Sequence, residues 1–510
     1  MFKTIKSDLP ASIVVFFVAL PLCLGIALAS GAPLFSGLIA GIVGGVIVGS
    51  ISGSKIGVSG PAAGLAAIVL TSIASLGGFE NFLVAVVLGG VIQLILGVVK
   101  AGVIGYYFPS SVIKGMLTGI GIIIIMKQIP FFFGYDKSIG GFSMDAINVG
   151  STVIGVISLG ILILWQQVLS KKGKIFQLVQ GPLVAVVVGI IFYVITQGSE
   201  QLAIHAKQLV SVPVPESMDS FLGQFTFPNF DVITNKDVWI VAFTIAVVAS
   251  LETLLCVEAT DKLDPDKNVT PTNRELLAQG VGNIVSGLVG GLPVTQVIVR
   301  SSANIQSGGK SKMSAIIHGF LLLISVILIP TLLNKIPLSV LAAVLLIVGY
   351  KLANPSTFIN MYKLGRKQFI PFMATVLPMV VTGDLLLGIG LGLAVGIVVI
   401  LYKNYQNSHF LHIEDKSNGV HKIKMTLAEE VTFFNKGAIL KELDSLPENT
   451  YLELDVRQTR YLDNDIIEIL EDFAYKAKER SIDIKLISER GIVENPESFI
   501  EFFKLRPQSA

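Results

Sequence analysis

The chain has 510 residues, 52% of them hydrophobic and 15% charged, with a mean hydropathy of +0.74. Soluble domains carry about 25% charge, so most of this chain belongs in lipid, and a formal net charge of +2 argues against a nucleic-acid partner. Cys23 and Cys256 both lie inside apolar runs; they read as small core residues and support no disulfide framework.

At the N-terminus Lys3, Lys6 and Asp8 lead into an apolar run with no small-residue cleavage pattern, so a first span is expected rather than a cleaved signal. Fourteen apolar segments are predicted, near 11–30, 33–50, 58–75, 81–99, 104–131, 148–168, 180–197, 237–258, 273–290, 294–304, 311–331, 336–350, 368–382 and 384–403. Several are about 20 residues long, enough to cross a bilayer. The third and tenth are interrupted, by Gly57-Val-Ser-Gly-Pro-Ala-Ala-Gly64 and by Gly290-Gly-Leu-Pro-Val-Thr-Gln-Val-Ile-Val-Arg300. Broken segments at corresponding points of two halves point to a carrier's binding site, and each is read here as a half-helix.

Basic residues gather on one side of this layout. With the N-terminus inside, the predicted cytoplasmic connections hold Lys55, Lys100, Lys171, Lys172, Lys174, Lys262, Lys267, Arg274, Lys310, Lys312, Lys351, Lys363, Arg366 and Lys367. The outer loops hold only Lys137, Lys207, Lys236 and Lys335, the positive-inside pattern. A long outer connection near 198–236, with Pro213, Pro215 and Pro228, separates seven segments from seven. The expected fold is therefore an α-helical polytopic membrane protein of 14 segments in a 7+7 inverted repeat, occupying 1–408, with both termini cytoplasmic.

From about 409 to 510 the pattern changes. Val420–Met425, Tyr451–Val456 and Ile482–Ile487 alternate like strands, while Asn435–Ser445 and Asp465–Lys478 carry apolar residues at helical spacing. A small cytoplasmic α/β domain is predicted. It has no cysteine, Gly-rich phosphate loop or paired histidines.

Chemistry is concentrated in few residues. Glu252 lies deep in the eighth segment, where a carboxylate costs about 3 kcal/mol unless it faces a cavity or partner; it is the candidate coupling residue for a proton or cation. Glu258 and Asp261 sit at that segment's end, where solvated charge is expected. Arg300 joins a fixed cation to the positive end of a short helix, a pairing suited to an anion; the alternative is that it only pairs with Glu252 or a carbonyl. Ser59, Gly60 and Pro61 are expected at the start of the first half-helix, Pro61 in its first turn. Thr295 and Gln296 are expected at the start of the second. Glycines such as Gly41–Gly45 and Gly388–Gly396 read as close helix packing. His318 reads as a packing histidine with its hydrogen bonds met, a proton relay being the alternative. No nucleophile–base set, metal cluster or cofactor motif is present, so an enzyme is not expected.

These residues resemble a known family, the bacterial sulfate-permease (SulP) anion transporters with a C-terminal STAS domain. The resemblance rests on Asp8-Leu-Pro-Ala, Ala19-Leu-Pro-Leu22, Val58-Ser-Gly-Pro61, Leu251-Glu-Thr-Leu-Leu255, Asn273-Arg-Glu-Leu-Leu-Ala-Gln-Gly280, Gly290-Gly-Leu-Pro through Arg300, Ser307-Gly-Gly-Lys310 and His318-Gly319. It implies core and gate domains moving as an elevator, a homodimer, and a bacterial inner-membrane location. It also implies secondary active transport of bicarbonate or sulfate coupled to a proton or sodium; a passive anion channel, or a sensor signalling through a protein partner of the STAS domain, is the alternative. By position, Ser59, Gly60 and Pro61, with Thr295, Gln296 and Val297, match the anion contacts. Glu252 matches the coupling carboxylate and Arg300 the basic residue, while Leu22 and Ile26 fall at first-span contacts. The chain departs from the pattern at Glu252 and Cys256, where sodium-coupled relatives tend to have Asp and Thr, which tilts the reading toward protons. Gln296 replaces a common glycine. Leu462-Asp-Asn-Asp465 replaces a phosphorylatable turn, and Asn464 accepts no phosphate.

Overall fold

The computed structural model describes residues 4–103, 109–135, 147–169, 172, 180–214, 223–406, 408–417, 420–489 and 491–504. Lys3, Lys137, Lys171, Lys174 and Pro215, named above, lie outside the described residues. Two compact units divide the chain between Leu393 and Ala394.

In the first unit, apolar runs satisfy their backbone groups internally by coiling into helices, as lipid requires. They are α1 (Ile5–Ala29), α2 (Leu34–Ile51), α3 (Ala63–Ser75), α4 (Phe79–Val98), α5 (Ser110–Phe132), α6 (Val149–Gln167) and α7 (Gly181–Thr196). After the long connection come α8 (Lys236–Leu263), α9 (Thr272–Leu288), α10 (Ile298–Gln306), α11 (Met313–Leu328), α12 (Leu338–Leu352), α13 (Pro355–Lys363), α14 (Arg366–Thr382) and α15 (Leu385–Gln406). Among the described residues, eight helical stretches are long and apolar enough to cross a membrane. The fold is thus a polytopic helical bundle, and among the described residues each predicted segment falls on a helix or a strand-and-helix unit.

Packing sorts the helices into two groups. α4 runs along α9 and α8, and α1 along α11 and α2; separately, α5 lies against α12 and α14, and α6 against α12 and α7. α1 also touches α12. Small residues set the spacing in the first group: a Cβ on Gly45 would come within 2.6 Å of the Gly319 Cα, so α2 and α11 meet backbone to backbone. One large apolar cluster, from Val18 to Ile389, fills the unit.

The division at Leu393 falls inside α15, whose last turns belong to the second unit, where Asn435 Nδ2 donates to the Asn404 carbonyl at 2.9 Å. A mixed five-stranded sheet in this unit has the order β3 (His409–Ser417), β4 (Val420–Leu427), β6 (Thr450–Asp455), β8 (Asp483–Ser488) and β9 (Gly491–Glu494). β4, β6 and β8 are parallel, and the two edge pairs antiparallel. The short strands β5 (Glu430–Val431) and β7 (Tyr461–Leu462) pair separately. Three helices, α16 (Lys436–Asp444), α17 (Asn464–Glu479) and α18 (Phe499–Lys504), complete it. The predicted strands and helices are all present, and Asp463 caps α17 by accepting from the Asp465 amide at 3.2 Å. Edge strands β3 and β9 were not predicted.

Candidate functional site

The two broken segments meet. Ser59–Pro61 forms strand β1 and Val294–Gln296 forms strand β2, paired antiparallel with Ser59 opposite Gln296 and Gly60 opposite Thr295. The Val297 amide extends the ladder by donating to the Val58 carbonyl at 3.0 Å. This corrects the sequence reading of the helix starts. Pro61 is not in a first helical turn, and Thr295 and Gln296 do not open a helix; helical structure begins at Ala63 and at Ile298. The reason is mutual satisfaction: two extended stretches inside an apolar bundle fill each other's backbone groups.

A buried polar stripe on α9 holds the crossing in place. Glu275, Gln279 and Asn283 recur every four residues, so they share one helix face, and all are 0% exposed. Gln279 Nε2 donates to Ser59 Oγ at 2.8 Å. Asn283 clamps β2 from both ends of its amide, accepting from the Val294 amide at 2.6 Å and donating to its carbonyl at 3.1 Å. On the other side α8 contributes Thr253, whose Oγ1 accepts from the Gln296 amide at 3.4 Å, and Thr260, whose Oγ1 accepts from Gln296 Nε2 at 3.2 Å. Ser301 of α10 accepts from the Val58 amide at 3.0 Å.

The charged residues stand behind two glycines of the first broken unit. A Cβ on Gly60 would overlap Arg300 Nη1, and one on Gly64 would come within 2.6 Å of Glu252 Oε2. Only hydrogen at these positions leaves room for the guanidinium and the carboxylate. The Gly64 amide faces Glu252, and the Ile298 amide faces Cys256 one turn further along α8. Both helix starts therefore turn amides toward α8, a role that sequence reading reserved for an anion.

Arg300 is 1% exposed. Nη2 contacts Cys23 Sγ at 3.4 Å, while Nε and Nη1 have no partner. It forms no ion pair with Glu252 or any other carboxylate among the described residues, so the alternative in which it only pairs with Glu252 or a carbonyl is not what the structure shows. Thr295 Oγ1, Gln296 Oε1 and Glu252 Oε2 are likewise buried without partners. His318 departs from its expectation: it is 0% exposed and neither ring nitrogen is hydrogen-bonded. Leu22 and Ile26 are buried in the main apolar cluster; the α1 residue that reaches Arg300 is Cys23 between them, which sequence reading assigned to plain packing.

Sequence reasoning also passed over Glu275, Gln279 and Asn283, although their four-residue spacing in an otherwise apolar stretch was the available signal. Glu258 and Asp261 lie elsewhere, lining a cavity of about 400 Å³ with Lys262 and Lys267 at the end of α8. Asp261, half-buried, accepts from the Thr270 amide and hydroxyl there at 2.7 Å each, so it ties down the following loop rather than standing as solvated charge.

A helical bundle in which two strand-and-half-helix units cross is the architecture of a membrane carrier. The sulfate permease family model matches residues 5–375, and the chain belongs to that family. It is a multi-pass membrane protein for secondary transport of a small inorganic anion, with a C-terminal domain resembling STAS. Among relatives, it is 27% identical over 409 residues to the putative sulfate transporter YvdB of Bacillus subtilis (strain 168), covering 78% of this chain and 73% of that one. It is 24% identical over 444 residues to the bicarbonate transporter BicA of Picosynechococcus, covering 84% and 76%. The solved transmembrane domain of a cyanobacterial BicA superposes with a TM-score of 0.65 at 25% identity, over 76% of this chain and 98% of that one. Murine Slc26a9, solved in an inward-facing state, shares the fold at 16% identity, with a TM-score of 0.75 over 94% and 85%.

Proposed function

We propose that this protein carries bicarbonate or sulfate across a bacterial inner membrane, binding the anion at the β1–β2 crossing and coupling its movement to a proton at Glu252. The observation that carries this reading is Arg300, a buried guanidinium without a carboxylate partner among the described residues. Burying a lone charge costs several kcal/mol, and an oxyanion held by Nε and Nη1 offsets that cost. Thr295 and Ser59 add hydroxyls, and Gly60 with Pro61 and Val297 shapes the backbone around them. Gln296, tied to Thr260, narrows the site. Names of relatives point both ways, to a bicarbonate transporter and to putative sulfate transporters.

Coupling to a proton rather than sodium is favoured by Cys256. Its thiol stands one turn from Glu252, and sodium, a hard cation, prefers oxygen there. The two packing groups of helices act in this proposal as core and gate, with fourteen segments in a 7+7 inverted repeat, elevator motion and a homodimer. Residues 1–408 form the transport domain with both termini cytoplasmic, and residues 409–510 engage a cytoplasmic partner.

Uptake of labelled sulfate and labelled bicarbonate into proteoliposomes, with proton and sodium gradients imposed separately, tests the reading. Saturable uptake driven by the proton gradient, losing that dependence in Glu252→Gln, is expected. Sodium-driven uptake, or unsaturated anion currents in electrical recording, overturns it.

A further inference from the structure

A directional chain of hydrogen bonds reaches Ser59 from the loop after α2. The Ser54 amide donates to Ser52 Oγ at 3.0 Å, which leaves the Ser52 hydroxyl proton for Glu275 Oε2. Gln279 Nε2 then donates twice, to Glu275 Oε1 at 2.9 Å and to Ser59 Oγ at 2.8 Å. Glu275 and Gln279 are 0% exposed, and Ser52 and Ser59 are 6% and 5% exposed. Solvent therefore does little to blur these directions.

The direction follows from chemistry. An ionised carboxylate only accepts hydrogen bonds, whereas a primary amide has a donating end and an accepting end of almost equal shape. Glu275 Oε2 takes the Ser52 hydroxyl, and at Oε1 the carbonyl end of Gln279 would be repelled, so the NH2 end is held there. That same nitrogen reaches Ser59 and occupies a lone pair of its hydroxyl. The Ser59 proton has no acceptor among the described residues, and β1 carries it beside Gly60, against which Arg300 lies.

We infer that Glu275 is a positioning residue which, through the Gln279 amide, makes Ser59 a hydrogen-bond donor toward the transported anion. This rests on the β1–β2 crossing being the anion site. Arg300 offers donors only, and Ser59, with one lone pair taken by Gln279, keeps its proton for the anion, so the site favours an oxyanion surface made of acceptors. Had the amide turned its carbonyl toward Ser59, that carbonyl would take the hydroxyl proton and leave only lone pairs to face the same oxygen.

Gln279→Glu reverses the polarity with little change of shape. The two neighbouring carboxyls share a proton between them, which turns a bare oxygen toward Ser59 and draws its hydroxyl proton away from the anion. Full-length protein in proteoliposomes is assayed for saturable uptake of labelled sulfate and, separately, labelled bicarbonate, with melting temperature in detergent as a folding control. KM for the transported anion is expected to rise about tenfold in Gln279→Glu with the maximal rate nearly kept, the size of one lost charge-assisted hydrogen bond. In a Ser59→Ala background the same substitution should add nothing, which a purely structural role does not predict. Glu275→Gln, which frees the amide to turn, should raise KM about threefold, again only when Ser59 is present. If Gln279→Glu does not fold, Glu275→Gln and the near-isosteric Gln279→Met are put through the same cycle and decide the matter. KM changes of equal size with and without Ser59 overturn the inference. A KM raised by Ser59→Ala but indifferent to Gln279→Glu also overturns it, leaving the anion site standing. Ser59→Ala with unchanged KM for both anions removes the anion-site reading itself.

Discussion

The two broken units have matching backbones and opposite side chains. Each is a three-residue buried strand leading into a short helix, and the strands pair with one another. The first unit carries no charge and contributes the Ser59 hydroxyl and space: Gly60 and Gly64 are the places where Arg300 and Glu252 come closest to it. The second is amphipathic and contributes charge, with Arg300, Ser301 and Asn304 all buried on α10. One unit thus holds the shape of the proposed site and the other its electrostatics. A symmetrical pair of charged units would bring two guanidiniums together, and a pair of apolar units would have nothing to attract an anion.

The largest expected effect tests the charged unit. Arg300→Gln should raise KM at least about a hundredfold, or abolish uptake, because charge-assisted contacts to a buried anion are each worth about 1.5–3 kcal/mol. Retained affinity would place the anion elsewhere. The glycines come next and should separate from each other. Gly60→Ala displaces the guanidinium and should raise KM about tenfold, whereas Gly64→Ala crowds Glu252 and should weaken the response to a proton gradient more than the affinity. If both substitutions act on KM alone, the division between an affinity side and a coupling side is broken. Thr295→Val removes one unpartnered hydroxyl and should cost about threefold in KM.

The smallest effect on transport lies in the C-terminal compact unit, Ala394–Ala510. Asp455, 4% exposed, accepts from Arg457 Nε at 2.9 Å and from its Nη2 at 2.6 Å, with Lys424 at 3.3 Å. The Arg457 hydrogen bond foremost holds its carboxyl down from 3.8 to about 2. A carboxyl lowered on folding stabilises above its unfolded pKa and loses that contribution as pH falls through the folded one. Asp455→Asn should therefore destabilise this domain by about 1–2 kcal/mol at neutral pH, allowing for the exposure of Arg457. Transport KM should not change. Hydrogen exchange across residues 450–455 reads the loss, and its difference from the parent should shrink between pH 4 and pH 2.

Much of the helix order was legible because lipid forces long apolar runs into helices, and Gly-Pro interruptions are conspicuous within them. Strands β4, β6 and β8 were legible through alternation. β3 was missed because its polar residues, such as His409 and His412, break the alternation at an edge of the sheet. Arg300 and Glu252 were visible as charges in apolar text. Their surroundings were not, because Cys23, Gln279 and Asn283 reach the crossing from helices distant in the chain, and nothing in a linear pattern says which face meets which.

The sequence by itself determined a polytopic membrane protein, the location of its two breaks and the identity of its buried charges, since these follow from composition and local pattern, while its motifs carried the resemblance to the family. Only the tertiary structure decided that the breaks are paired strands rather than helix starts. It alone showed that glycines make room for Arg300 and Glu252, and that Arg300 has no carboxylate partner among the described residues. Those facts depend on distances between segments far apart in the chain, which packing sets and local propensity does not.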